Sequence, residues 1–249
     1  MTLDFPSTFS DVVKAHLRRS QWDDFPDVVI HAEESVVKKH RLYDAAKSGD
    51  ITAAEGLILE TLSVEALDRM CAIVGDRTPY LVAVHAQESQ GANVIPQTMA
   101  LILSWMISLP WSKEVIQINQ VSHTGADGYY RLASPAVFEG EVEADDYFLV
   151  DDFIGQGGTL ANLKGFLESR GASVIGATAL TGKAYSAKLN LTDETLQKLR
   201  EKHGRELESW WRAAFGYSFE CLSESEARYL TRADNADTIR TKIIAASRG

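Results

Sequence analysis

The sequence predicts an α/β fold in which a parallel sheet is flanked by helices, with helical additions at the amino and carboxy ends. Two observations predict it. Short apolar runs of β type alternate through the middle of the chain with helical segments, the pattern of a parallel sheet covered on both faces. The conspicuous polar residues fall directly after those runs, at strand carboxyl ends, where ligands of such sheets sit.

Taken in order, residues 1–70 read as a helical region that could serve as a hood or a partner-docking part. "TFSDVVKAHLRR", "DVVIHAEESVVKKHRLYDAAKSG" and "DITAAEGLILETL" repeat apolar residues at three and four positions. Ser48 and Gly49 mark a break, and Asp50 is placed to cap the next helix. "SVEALDRMCAIVG" carries the last helical pattern into residues 71–185, the predicted core. There "PYLVAVHA", "EVIQINQV", "YFLVDD" and "ASVIGATALTG" read as four strands, and "TMALILSWMISLP" as a buried helix ending at Pro110. Between the second and third strands, "SHTGADGYYRLASPAVFEGEVEADD" is long enough for an active-site lid, with "YYRLAS" and "AVFEGEV" as a candidate hairpin. Residues 186–249 read as helices around one further strand, "YSFECL", packed on the core. Thr192 opens "DETLQKLREKHG" with acids at its start and bases at its end, and Ser223 with Glu226 fits a capping box. Trp210 and Trp211 read as packing residues.

Bulk properties narrow the function. The 249 residues are 45% hydrophobic and 24% charged, an ordinary globular composition, and the formal net charge of -10 disfavours non-specific nucleic-acid binding. The densest basic cluster, Lys38, Lys39, His40 and Arg41, reads as a solvated helix face. Cys71 and Cys221 lack metal-ligand spacing. The amino terminus lacks a signal-peptide pattern, and the apolar run before Pro110 is too short to cross a bilayer. A cytoplasmic location without membrane or nucleic-acid partners is the expectation.

The chemistry concentrates in "YFLVDDFIGQGGTLANLKGFLESRG". An apolar strand ends at Val150, so Asp151 and Asp152 emerge at its carboxyl end. Gly155, Gly157 and Gly158 permit a tight turn, and Thr159 stands where the next helix begins, so several backbone N–H groups face outward at a positive helix end. That is an anion site beside two carboxylates. A bare phosphate would be repelled by the acids; a ligand carrying both a phosphate and neighbouring hydroxyls suits both halves. A P-loop lysine after the last glycine is missing, and the dinucleotide fingerprint fails because Leu160 takes its last glycine position.

"FLVDDFIGQGGT" resembles the phosphoribosyl pyrophosphate motif of type I phosphoribosyltransferases, and the order of strand, long loop and following strand is similar to that family over the middle region. The resemblance implies a type I phosphoribosyltransferase-like core. It implies that Asp151 and Asp152 bind the ribose 2- and 3-hydroxyls, and that Gly155, Gln156, Gly157, Gly158 and Thr159 cradle the 5-phosphate. Ala86, Gln87, Glu88 and Ser89 would form the pyrophosphate loop, and the segment from His123 to Ala144 the lid. Arg131, mid-lid, would meet the pyrophosphate, and Lys183, after the fourth strand, is the candidate for contacting the base. Magnesium would bridge pyrophosphate and ribose oxygens, reaching Asp151 and Asp152 only through hydroxyls or water. His85 and His123, also at strand ends, read as structural residues.

Two departures stand out. Gln156 occupies a position where the family usually has threonine, and Gly155 one where 6-oxopurine enzymes carry an aspartate. The expected activity is transfer of phosphoribosyl from phosphoribosyl pyrophosphate to a nucleobase or related nitrogen acceptor, with release of pyrophosphate. The alternative is a non-catalytic phosphoribosyl pyrophosphate- or nucleotide-binding regulatory module, to which Gln156 and the acidic Glu88 point. The resemblance also allows a homodimer.

Overall fold

The computed structural model describes Val13 and residues 16–85, 93–119 and 127–247. Its strands, in chain order, are β1 (Val29–Glu33), β2 (Tyr80–Ala83), β3 (Trp111–Ser112), β4 (Ile116–Gln117), β5 (Phe138–Glu139), β6 (Asp146–Ile154) and β7 (Ser173–Gly182). Its helices are α1 (Glu34–Lys38), α2 (Tyr43–Lys47), α3 (Ile51–Thr61), α4 (Val64–Val74), α5 (Ile95–Ile107), α6 (Gly128–Ala133), α7 (Gly158–Glu168), α8 (Asp193–Phe215), α9 (Glu224–Thr231) and α10 (Ala236–Ala246).

Five strands form a parallel sheet in the order β1-β7-β6-β2-β3, and β4 pairs antiparallel with β5 in a separate ribbon. The apolar run that begins β6 explains why both sheet faces are covered. Successive strand side chains point to opposite faces. Phe148 and Val150 enter a cluster with Leu57, Ile58, Met70, Met99 and Leu103 of α3, α4 and α5. Tyr147 and Leu149 enter another with Trp22, Phe25, Leu163 and Phe166. A third cluster, with Trp211, Phe215, Phe219, Leu222 and Ile239, joins the carboxy-terminal helices to Tyr129 and Leu132 of α6. Trp210 and Trp211 are therefore packing residues, as expected. Among the described residues no helix is long and apolar enough to cross a membrane.

The local cap signals are met. Asp50 accepts from the Ala53 N–H and Thr192 from the Thr195 N–H, while Ser223 and Glu226 form both bonds of a capping box. The α8 helix kinks at Gly204 (φ 74°, ψ 169°), where its first half was expected to stop, and continues to Phe215.

Four expectations are corrected. Residues 29–33, expected as helix, are the edge strand of the main sheet. Val29 pairs with Thr178, and the Thr178 and Thr181 hydroxyls donate to the carbonyls of Val29 (2.8 Å) and Ala32 (2.7 Å). The helical spacing in "DVVIHAEESVV" is equally a strand alternation in its first half, and pairing with β7 decides between them. In "EVIQINQV" the expected core strand is displaced: β3, just upstream, pairs with β2, and Ile116–Gln117 turns aside to pair with β5. Gly140 (φ 134°) permits this approach, since a methyl group there would lie 2.0 Å from the Glu114 carbonyl oxygen. The expected lid hairpin does not form. "YYRLA" lies in α6, which Asp127 caps through the Tyr130 N–H at 2.8 Å. "YSFECL" is no strand; Phe219–Cys221 is a 3₁₀ turn whose apolar side chains are buried against Trp211 rather than along a sheet edge.

Candidate functional site

The site lies at the carboxyl edge of the sheet, where β6 ends. Val150 is fully buried and pairs with Ala83 and Thr178, but the strand expected to end there runs on to Ile154, so Asp151, paired with Ala179, is still inside the sheet and Asp152 is only half-buried. Asp151 remains 6% exposed, and its Oδ1 accepts from the Asp152 N–H at 2.8 Å. Burial first, and the neighbouring Asp152 second, push the Asp151 carboxyl well above the ordinary carboxylate range. Asp152 faces Lys47 of α2, whose Nζ donates to its Oδ2 at 2.8 Å. Burial works against the Lys47 charge, but attraction to Asp152 prevails and holds its pKa above the usual lysine range.

Beyond the acids the chain turns. Gly157 adopts φ 82°, a left-handed conformation, and caps α7 without any side-chain hydrogen bond. The first N–H groups of that helix, at Gly158 and Thr159, therefore point out of the turn at the positive end of the helix dipole. Four neighbours pack against the turn. Leu189 is so close that a methyl group at Gly157 would lie 2.2 Å from its Cδ2. The Ser223 hydroxyl donates to the Gln156 carbonyl at 2.5 Å. At Gly158 the neighbours are Glu226 and Arg19, a buried ion pair at 2.6 Å with each side chain 3% exposed; Arg19 also donates to Asn162 Oδ1 at 2.7 Å.

Of the residues singled out in the sequence, Asp151, Asp152, Gly155, Gln156, Gly157, Gly158 and Thr159 lie together from the end of β6 to the start of α7, with Asp151 and Gly157 buried. Arg131 joins them from α6: a methyl group at Gly155 would meet its Nη1 at 2.6 Å, so its guanidinium lies against the glycine turn. The Lys183 N–H donates to the Ile154 carbonyl at 3.3 Å, which sets it one strand from the acid pair. Its side chain is exposed, with Nζ 5.8 Å from the Tyr185 ring. His85 lies two residues beyond Ala83 on β2; its Nδ1 is buried without a hydrogen-bond partner among the described residues, and burial lowers its pKa. The Gln156 Oε1 is likewise buried and unpartnered among the described residues. Ala86, Gln87, Glu88, Ser89 and His123 lie outside the described residues.

Sequence reasoning missed Lys38 and Lys47 as parts of this surface. Lys38 Nζ sits 4.2 Å from the centroid of Phe153, the residue after the acid pair. Both lysines follow β1, and reading β1 as helix concealed that they emerge at the same sheet edge. Ser223 and Glu226 were legible as a cap, but not as supports of the glycine turn.

The residues present do not form a direct metal site: among those described, no group of three or more His, Cys, Asp or Glu side chains converges, and Lys47 neutralises one of the two acids. A cleft of about 900 Å³ lined by Tyr80, Trp111, Tyr147 and Arg170 opens at the opposite, amino-terminal edge of the sheet, away from every motif residue.

Fold and site thus define an α/β protein whose parallel sheet carries an acid pair and a glycine turn at its carboxyl edge. No family model matches the chain. It is 35% identical over 229 residues to Protein TraN of Escherichia coli, a match covering 92% of this chain and 51% of that protein. It is 39% identical over 151 residues to an uncharacterized protein of Haemophilus influenzae, covering 60% of this chain and 34% of that one. The chain thus spans about half the length, or less, of these curated relatives. Solved structures similar to it include adenine phosphoribosyltransferases. That of Thermoanaerobacter pseudethanolicus superposes with a TM-score of 0.33 at 15% identity over 52% of this chain and 74% of that one. Those of Leishmania donovani and Leishmania tarentolae give 0.32 at 13% identity (73% and 79% covered) and 0.34 at 14% identity (83% and 98% covered).

Proposed function

We propose that the chain binds phosphoribosyl pyrophosphate at the carboxyl edge of its sheet and transfers the phosphoribosyl group to a nucleobase or related nitrogen acceptor, releasing pyrophosphate. One observation carries the reading: an acid pair near the end of a central strand, Asp151 buried and Asp152 half-buried, leads into a glycine turn with Gly157 left-handed and a helix amino terminus without a side-chain cap. The acids accept from two adjacent ribose hydroxyls, and the turn amides of Gly157 to Thr159 bind the 5-phosphate. Arg131 adds positive charge at Gly155, on the phosphate side of the site. Lys183 stands where an acceptor would approach across the neighbouring strand.

In the reaction a nitrogen of the acceptor forms a bond to ribose C1 as the C1–O bond to pyrophosphate breaks. Positive charge grows on the ring, the bonding electrons leave with the pyrophosphate, and the proton of the acceptor nitrogen passes to solvent. The acceptor nitrogen is itself the nucleophile, so the residues of the chain act by orientation and by fixed charge. Magnesium is proposed to arrive with the pyrophosphate of the ligand, since the described residues do not fit a direct metal site.

A panel of nucleobases incubated with magnesium and phosphoribosyl pyrophosphate, read by pyrophosphate release, tests this. Release with one base and not the others is the expected result. Measured binding of phosphoribosyl pyrophosphate with no release for any base would favour a non-catalytic binding module. The Gln156 Oε1, buried and unpartnered among the described residues at a position where the family usually has threonine, is the observation that supports that second reading.

A further inference from the structure

We infer that Lys47 is a positioning residue of this site, one that fixes Asp152 and makes the acid pair selective for a vicinal diol over a metal cation. The inference rests on the ribose-binding reading above. Lys47 is 105 positions from Asp152 and comes from α2, beyond the edge strand β1; it belongs to none of the segments that carry the motif. Its Nζ donates to Oδ2 at 2.8 Å, a charge-assisted hydrogen bond that ties this carboxylate to α2. The Lys47 side chain is 34% exposed and that of Asp152 12%, so the contact lies where water is thinning and its geometry is held.

Charge then decides what the pair can take. Two adjacent carboxylates free of a counter-cation attract a divalent ion, which asks for six or more oxygen ligands and net negative charge. Here one acid is bound to an ammonium and the other, Asp151, is buried beside it and disposed to stay protonated. The trio Asp151, Asp152 and Lys47 is close to neutral. A neutral pair of hydroxyls, each donating to one carboxyl, suits it; a bare cation does not. Lys38, over Phe153, is itself paired with Glu34 and so leaves this balance unchanged.

The test uses Lys47→Met, which removes the charge and keeps the stem, and Lys47→Arg, which restores it. Calorimetry with ribose 5-phosphate and with magnesium phosphoribosyl pyrophosphate reads ligand affinity, and electron paramagnetic resonance with Mn²⁺ alone reads metal capture. Circular dichroism confirms that each variant is folded. Lys47→Met is expected to weaken both sugar phosphates by about ten-fold or more, the size of one charge-assisted hydrogen bond network lost, with Lys47→Arg restoring most of it. Mn²⁺ is expected to bind Lys47→Met and not the unaltered chain. Unchanged sugar-phosphate affinity in folded Lys47→Met, or Mn²⁺ binding by the unaltered chain, would overturn the inference. Should the unaltered chain bind neither sugar phosphate, the ribose reading itself fails, and the diol half of the inference with it; the Mn²⁺ arm then still decides whether Lys47 sets the charge of the pair.

Discussion

At the residue scale, Asp151 sets function against stability. A carboxyl whose pKa is raised on folding contributes stability that is complete below its unfolded pKa, near 3.9, and is lost as pH climbs through the folded value. In neutral solution Asp151 therefore burdens the fold, because burial and Asp152 both resist its ionisation. Asp151→Asn keeps an oxygen that can accept from the Asp152 N–H and removes the charge. It is expected to raise the melting temperature at pH 7, by about 2–4 °C for each kcal/mol recovered, and to change it little at pH 3. The same variant is expected to weaken phosphoribosyl pyrophosphate binding. Thermal unfolding at the two pH values, with calorimetry at the higher, checks both outcomes; a lower melting temperature at pH 7 would show that the ionised carboxylate is a structural asset.

At the scale of elements, the turn between β6 and α7 depends on Gly157. Its φ of 82° costs any residue with a side chain roughly 1–3 kcal/mol, and Leu189 leaves no room for a methyl group. Gly157→Ala is expected to lower stability by at least that amount in urea unfolding and to displace the amides that face the anion. Gly157→Ala combined with Leu189→Ala relieves the contact but not the backbone strain, so about 1–3 kcal/mol of the loss attributable to Gly157 should persist against Leu189→Ala alone. Full recovery in that comparison would mean that the clash with Leu189, not φ, made glycine necessary.

At the scale of the whole molecule, Arg19 and Glu226 join the start of the chain, the amino end of α7 and the carboxy-terminal helices in one buried contact. Removing one partner leaves the other charged and desolvated, a change that costs about 3–5 kcal/mol, whereas replacing both with apolar groups is often close to neutral. Glu226→Gln is expected to lower the urea midpoint strongly, and Arg19→Met with Glu226→Leu to recover most of the loss. If the double replacement is as unstable as the single one, the capping-box bond that the Ser223 N–H donates to Glu226 Oε2 is the larger contribution, since both variants alter its acceptor.

Much of this fold was legible because its signals are local. Strand β6, the glycine turn, helix α7 and the caps at Asp50, Thr192 and Ser223 each depend on residues within a few positions of one another, and the acid pair with its anion turn falls inside one such stretch. What the tertiary structure decided is the pairing of segments far apart in sequence. The hydroxyl bonds from β7 to β1 span 149 positions, Lys47 reaches Asp152 across 105, and Ser223 reaches Gln156 across 67. Apolar spacing in residues 29–33 suits a helix or a strand, and only the exposed edge of β7, available once the chain has folded back on itself, selects the strand. The sequence by itself determined which residues could form a site for a phosphate and a diol. Tertiary structure determined which charges surround them, because a charge acts through space over a few ångströms and has no regard for its place in the chain.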